Sequence, residues 1–271
     1  MSFWTEIWLD RATKKLKHLE SIVTFYCCGK IESAIMPTEI LSDRATLVNR
    51  AVELLVKRIE RAIEQQGQCT IALAGGGTPK PIYEQLAQKN LAWEKLHIFW
   101  GDERYVPAND PESNEKMARE AWLNQVSIPE ANIHPMPTTG ENPEADAKKH
   151  EADIKTFFQC GEGEIPSLDI ILLGMGDDGH TASLFPQTEA LTVRDRLITV
   201  GNKGDSQRLT FTVPLLNQGK CVMFLVTGAN KRPALAQIFS PEADSNQYPA
   251  RMIQPQGELW WLLDREAGAE L

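Results

Sequence analysis

The sequence predicts an α/β fold, a mainly parallel sheet with helices on both faces, and three observations carry that prediction. Short apolar runs alternate along the chain with segments of helical periodicity or high polarity. The runs are continuous rather than alternating in polarity, as in strands buried on both faces. Most of them stop at a glycine that opens a polar segment, the pattern of strands feeding loops at the carboxyl edge of a sheet.

Composition bounds the rest. With 271 residues, 42% hydrophobic and 24% charged, the chain is an ordinary globular sequence, long enough for one large domain. No apolar stretch approaches the roughly 20 residues that cross a bilayer. The start, MSFWTEIWLDRATKKLK, mixes acid and base where a secretory signal is basic and then apolar, so a cytoplasmic protein without a membrane partner is expected. Cys27, Cys28, Cys69, Cys160 and Cys221 show no CxxC spacing and are expected to be reduced, forming neither a zinc site nor a disulfide framework. The net charge of −9 argues against nucleic acid as a partner. A small anionic ligand would need a local basic pocket.

Residues 1–35 stand outside the repeating pattern and form an amino-terminal extension without an assigned role. They are either an extra edge element or sequence upstream of a start at Met36. Residues 36–271 are expected to form a single α/β domain. Leu47, Val48, Val52, Leu55, Val56 and Ile59 recur at three- and four-residue intervals, which predicts an amphipathic helix over 43–65 with Asp43 at its start and Gly67 past its end. The run CTIALA at 69–74 predicts a strand followed by Gly75, Gly76, Gly77, Thr78 and Pro79 and then a helix. Thr78 is placed as N-cap and Pro79 at the first helical position. Glycine N–H groups at a helix start suit an anion. The spacing lacks the P-loop Lys and the dinucleotide fingerprint.

LHIFW predicts the next strand, ending at Gly101, Asp102, Glu103 and Arg104 in what reads as a charged loop. A helix over 113–123, a Pro- and Asn-rich connection over 127–144 and a polar helix over 144–159 follow. His150, in KKHEAD, is read as a surface histidine, and His18, His97 and His134 as structural or exposed. LDIILLG then predicts a buried strand that delivers Asp177, Asp178 and His180 just past its end. A titratable cluster at that place in a parallel sheet has a functional meaning that the same cluster on a helix face lacks. A polar region over 187–207 precedes RLTFTVPLLN, which reads as a strand interrupted by Pro214. CVMFLVTG is a further buried strand, and Lys231 and Arg232 stand at the start of the next helix, where cations oppose the macrodipole. Something negative bound there would explain them. LWWLLD at 259–264 is the last strand.

Four strand ends therefore send polar cargo to one edge: GGGTP, GDER, GDDGH and GANK. Together they offer an anion cradle, cations and a histidine able to act near neutral pH.

The segments ALAGGGTPKPIYEQLA, IFWGDERYVPANDPESNEKMARE, LLGMGDDGHTASLFP and RLTFTVPLLN with FLVTGANKRPAL resemble, in order and spacing, the signatures of the glucosamine-6-phosphate deaminase/6-phosphogluconolactonase family, over about residues 40–264. The resemblance implies a Rossmann-like sheet of the deaminase type, working with no cofactor and no metal. It is strongest to the lactonase branch, implying hydrolysis of 6-phospho-D-glucono-1,5-lactone in the oxidative pentose phosphate pathway. Deaminases carry a glutamate where this chain has Phe185, and Asp-Glu-Tyr where it has Asp102, Glu103 and Arg104. The alternatives are a deaminase-like enzyme and a sugar-phosphate-binding module that has lost its catalytic groups. On the lactonase reading His180 is the general base, Asp178 orients it, and Arg104 serves either the oxyanion or the phosphate. Gly75, Gly76, Gly77 and Thr78, with Lys231 and Arg208, are expected to hold the phosphate. Asp177 is read as a turn residue. The partner is then a small sugar-phosphate lactone; the oligomeric state is left open, and a monomer is compatible with it.

Overall fold

The computed structural model describes residues 37–271, so the expectations for 1–35, His18, Cys27, Cys28 and a start at Met36 lie outside the described residues. The strands are β1 (Thr38–Leu41), β2 (Cys69–Leu73), β3 (Leu96–Trp100), β4 (Asp102–Arg104), β5 (Ile170–Leu173), β6 (Ile198–Lys203), β7 (Ser206–Phe211), β8 (Cys221–Val226) and β9 (Glu258–Asp264). The α-helices are α1 (Arg44–Gln66), α2 (Lys80–Leu86), α3 (Asn114–Ala121), α4 (Pro143–Phe158), α5 (Val213–Leu216), α6 (Arg232–Ile238) and α7 (Arg265–Gly268).

Six strands pair in parallel in the order β1-β9-β8-β5-β2-β3. Every residue of β2, β5 and β8 is buried, as the continuous apolar runs require. Alternate residues feed two cores. Ile171, Leu173, Val222 and Phe224 face one layer with Ala147 and Ile154 of α4, while Ile170, Leu172, Met223 and Leu225 face the other with Leu47 and Leu55 of α1 and Ile82 of α2. Phe224 and Trp261 stack at 3.9 Å within the first. The termini of α1 are as expected: Asp43 accepts from the Thr46 N–H at 2.7 Å, and Gly67 closes the helix at φ 84°.

The connectivity places the site. From β2 the chain passes through α2, on one face, to β3 at one side. It then returns through α4, on the opposite face, to β5 on the other side of β2. The strand order reverses between β2 and β5, so their carboxyl ends open the crevice in which such sheets bind ligands.

A second sheet, antiparallel and in the order β4-β7-β6, leans over that crevice. Gly101 joins the two sheets, its N–H donating to the Leu73 carbonyl at 2.9 Å and its carbonyl accepting from Phe211 at 2.8 Å. Asp102 to Arg104 is thus a strand rather than the charged loop expected from its composition. Strand β6 lies inside the stretch read as a polar connection, and it forms a hairpin with β7 around Gly204 at φ 59°. Only Ile198 and Val200 in it are apolar, Thr199 and Gly201 are buried and Asn202 and Lys203 are exposed, so the strand hides among polar residues. Pro214 does not interrupt a strand but lies in the first turn of α5.

Two further expectations are corrected. Thr78 does not cap α2: Pro79 occupies the cap position without a side-chain bond, and the Thr78 hydroxyl instead meets that of Thr227 at 3.0 Å. His150 is buried rather than on the surface. It shares the inward stripe of α4 with Ala147 and Ile154, and burial pushes its imidazole down to about 4, with the charge of His134 adding to the effect. His97 and His134 are part-buried, 3.2 Å apart, with His134 stacked on Phe99.

Candidate active site

A cleft of about 320 Å³ opens at the carboxyl ends of β2 and β5 and is roofed by the small sheet. Gly75, Gly76, Gly77, Thr78, Arg104, Asp177, His180, Arg208 and Lys231 all line it, so the four strand-end segments do converge.

The glycine loop is held from behind. The buried Tyr83 hydroxyl accepts from the Ala74 N–H at 3.0 Å and donates to the Ala74 carbonyl at 2.8 Å. A side chain at Gly75 would meet Asn114 Oδ1 at 1.9 Å, which explains why only glycine fits there. Gly76 adopts φ 92°, which glycine alone tolerates cheaply. Arg44 donates to the Gly77 carbonyl and pins the far side of the loop.

After β5 the chain turns so tightly that the Gly176 N–H donates to the His180 carbonyl at 2.8 Å. Within that turn Asp178 Oδ1 lies 2.6 Å from His180 Nδ1 and also accepts the His180 backbone N–H at 3.1 Å. Burial alone raises the Asp178 carboxyl. The His180 backbone and ring hydrogen bonds and the imidazole charge outweigh it, leaving the group below the usual carboxylate range. An ionised Asp178 accepts a proton-bearing Nδ1, which leaves Nε2 as the free, basic nitrogen. The ring is 4.5 Å from that of Phe185. The spacing of two residues, too short in sequence to guarantee contact, thus becomes a bonded pair.

Arg104 and Arg208 sit directly opposite one another in the β4–β7 ladder. Both Nε atoms are buried without a partner among the described residues, and Arg104 otherwise donates to the Glu112 carbonyl at 2.6 Å. Burial first and the neighbouring Arg104 charge second pull the Arg208 guanidinium down. Two cations side by side with unused donors have the chemistry to bind an anion. The strand carrying Arg104 is anchored by Glu103, whose buried carboxylate accepts from the backbone of Arg104, Asn114 and Glu115 and from the Ser113 hydroxyl. Desolvation raises the Glu103 carboxyl despite those bonds.

Lys231 lines the cleft and pairs with Asp177 at 2.9 Å, so Asp177 is more than a turn residue. The Lys231 hydrogen bond holds its carboxyl low. Arg232 points away, donating to the Glu266 carbonyl. Sequence reasoning missed Asp102, Asn114 and Lys203, which also line the cleft. Lys203 stands 5.9 Å and Arg208 5.4 Å from the Phe185 ring, so that ring is a platform for cations as well as for His180. No group of three or more His, Cys, Asp or Glu side chains placed to hold a metal occurs among the described residues.

Residues 42–261 match the family described as glucosamine-6-phosphate isomerases/6-phosphogluconolactonase. The chain is 61% identical over 233 residues to the 6-phosphogluconolactonase of Synechocystis, covering 86% of this chain and 97% of that protein. The solved structure of 6-phosphogluconolactonase from Trypanosoma brucei superposes with a TM-score of 0.77 at 30% identity, covering 88% of this chain and all of that one. A monomeric glucosamine-6-phosphate deaminase shares the fold at a TM-score of 0.73 and 20% identity, covering 86% and 99% of the two chains.

Proposed function

The chain belongs to the glucosamine-6-phosphate isomerase/6-phosphogluconolactonase family, and we propose how its cleft performs the reaction it catalyses, the hydrolysis of 6-phospho-D-glucono-1,5-lactone to 6-phosphogluconate. The observation that carries the assignment of roles is that His180, bonded to Asp178, lines the same cleft as two arginines whose buried Nε atoms find no partner among the described residues.

Of the two roles open to Arg104, the register supports the phosphate. Arg104 and Arg208 share a face of one strand pair and would share one dianion, together with Lys231 and the N–H groups of Gly75 to Thr78. The lactone carbonyl then lies toward His180. Nε2 takes a proton from water as the oxygen attacks C1, and the imidazolium so formed, stabilised by ionised Asp178, faces the developing oxyanion. The same proton passes to the ring oxygen as the C1–O bond breaks, which releases the hydroxyl and leaves a carboxylic acid that ionises. Proton and bond changes balance without a covalent enzyme intermediate.

The buried Phe185 supports lactone hydrolysis over deamination, because a phenyl ring offers no proton where an acid would be needed beside His180. No helix among the described residues is long and apolar enough to cross a membrane. The free thiols of Cys69, Cys160 and Cys221 support a cytoplasmic setting. Residues 36–271 are the proposed catalytic domain.

The test is a paired assay on freshly prepared 6-phosphogluconolactone and on glucosamine 6-phosphate. Acid release from the first above the spontaneous rate, with no ammonia from the second, is expected. Ammonia release, or equal turnover of unphosphorylated gluconolactone, would overturn the reading.

A further inference from the structure

The cleft holds a carboxylate that the proposed mechanism does not use. Asp102, the first residue of β4, is 7% exposed and lines the cleft. Its Oδ2 accepts the hydroxyl of fully buried Ser183 at 2.6 Å, and the Ser183 N–H in turn donates to Thr210 Oγ1 at 3.2 Å. Its backbone pairs with Thr210 across the ladder, and its carbonyl accepts from Asn114 Nδ2 at 2.9 Å. The group is therefore held rigidly. Oδ1 receives no protein hydrogen bond among the described residues, and no cationic side chain there reaches the carboxylate as an ion pair.

Arg208 stands near enough to feel its charge without bonding it, and a nearly buried carboxylate with one oxygen free of protein hydrogen bonds gains from a donor that completes it. Its place in a cleft that Arg104, Arg208 and Lys231 also line narrows what that ligand group is. An anion is repelled, and the donor set around it does not suit a metal. A neutral hydrogen-bond donor satisfies it, and a polyhydroxylated lactone carries several between its phosphate and its carbonyl.

Resting on the lactone-hydrolysis reading, we propose that Asp102 binds a ring hydroxyl of the sugar lactone and makes the enzyme selective for a substrate that keeps that hydroxyl. The Ser183 bond fixes which oxygen faces the cleft. A hydroxyl donating to a carboxylate is among the stronger hydrogen bonds, and its loss corresponds to a roughly 10- to 100-fold drop in kcat/KM.

The experiment compares 6-phosphogluconolactone with its 2-deoxy, 3-deoxy and 4-deoxy analogues, using wild-type protein, Asp102→Asn and Asp102→Ala. Wild type is expected to lose about 10- to 100-fold in kcat/KM on at least one deoxy analogue. Asp102→Ala is expected to lose a similar factor on the parent and to treat the parent and that analogue within about threefold of each other. If Asp102→Ala does not fold, Asp102→Asn decides, because its amide oxygen still accepts from Ser183. Narrowed discrimination supports the assignment, and unchanged discrimination overturns it. Equal turnover of all four lactones by wild type, or an equal loss on all four in the Asp102 variants, would also overturn it. Wild-type turnover of the parent tests the underlying reading separately: its absence sinks lactone hydrolysis, whereas turnover without discrimination sinks only the role of Asp102.

Discussion

Gly176→Ala isolates the His180–Asp178 pair without touching either side chain. A β-carbon at position 176 would lie 2.0 Å from His180 Nδ1 and 2.5 Å from Asp178 Oδ1. Both are well inside van der Waals contact, so one or both groups must retreat by about 1 Å or more. The backbone of Gly176 is outside the left-handed region, so alanine brings no conformational penalty of its own. A displacement of about 1 Å costs on the order of 100-fold in a positioned reaction, and loss of the orienting carboxylate adds to it. The expectation is a kcat reduced by about 100- to 1,000-fold, or roughly 3–4 kcal/mol of barrier. KM should stay within about threefold, since the phosphate is held elsewhere. A pH-stat assay with fresh lactone, corrected for spontaneous hydrolysis, reads kcat, and thermal melting checks the fold. A folded Gly176→Ala protein with kcat within threefold of wild type would refute the reasoning that the pair must stay bonded.

Arg208→Ala should raise KM for the phosphorylated lactone by about 10-fold or more with a smaller change in kcat, read by steady-state kinetics, because it removes one of two guanidiniums from a shared anion. His150 supplies a pH test of stability. Its folded value of about 4 lies below the unfolded value near 6.5, so the unfolded chain binds more protons in that window and stability falls as pH drops from about 6.5 toward 4. The loss from this group is up to about 3 kcal/mol. Denaturant titrations at pH 7 and pH 5 should show a smaller acid-side loss for His150→Phe than for wild type. Removal of residues 1–35 is expected to leave lactone turnover intact, checked on the purified shortened chain; loss of folded protein would place those residues in the core.

The fold was legible where burial is two-sided. CTIAL, IILL and CVMFLV announce central parallel strands because both faces must be apolar. The place of Asp178 and His180 was legible because a titratable pair follows such a strand at a glycine-bounded turn, whereas the bond between them was not implied by their spacing. What stayed hidden depends on a partner distant in sequence. Asp102 reads as a solvated charge until Ser183, 81 residues later, is folded against it. Lys203 belongs to the exposed turn end of a hairpin whose polar residues resemble a loop. Thr78 carries the chemistry of an N-cap, but its hydroxyl is taken by Thr227, 149 residues away. His150 was misread because KKHEAD is polar overall, although its spacing to Ala147 and Ile154 places it on the buried stripe of α4.

In the proposed mechanism His180 Nε2 is the base that activates water. The most direct measurement is the hydrolysis rate of fresh 6-phosphogluconolactone by His180→Gln, with product binding to the same variant measured by calorimetry. The account predicts a kcat lower by about 100- to 10,000-fold while 6-phosphogluconate still binds, because the phosphate site is separate. A His180→Gln protein that binds product and hydrolyses the lactone at close to the wild-type rate would contradict it.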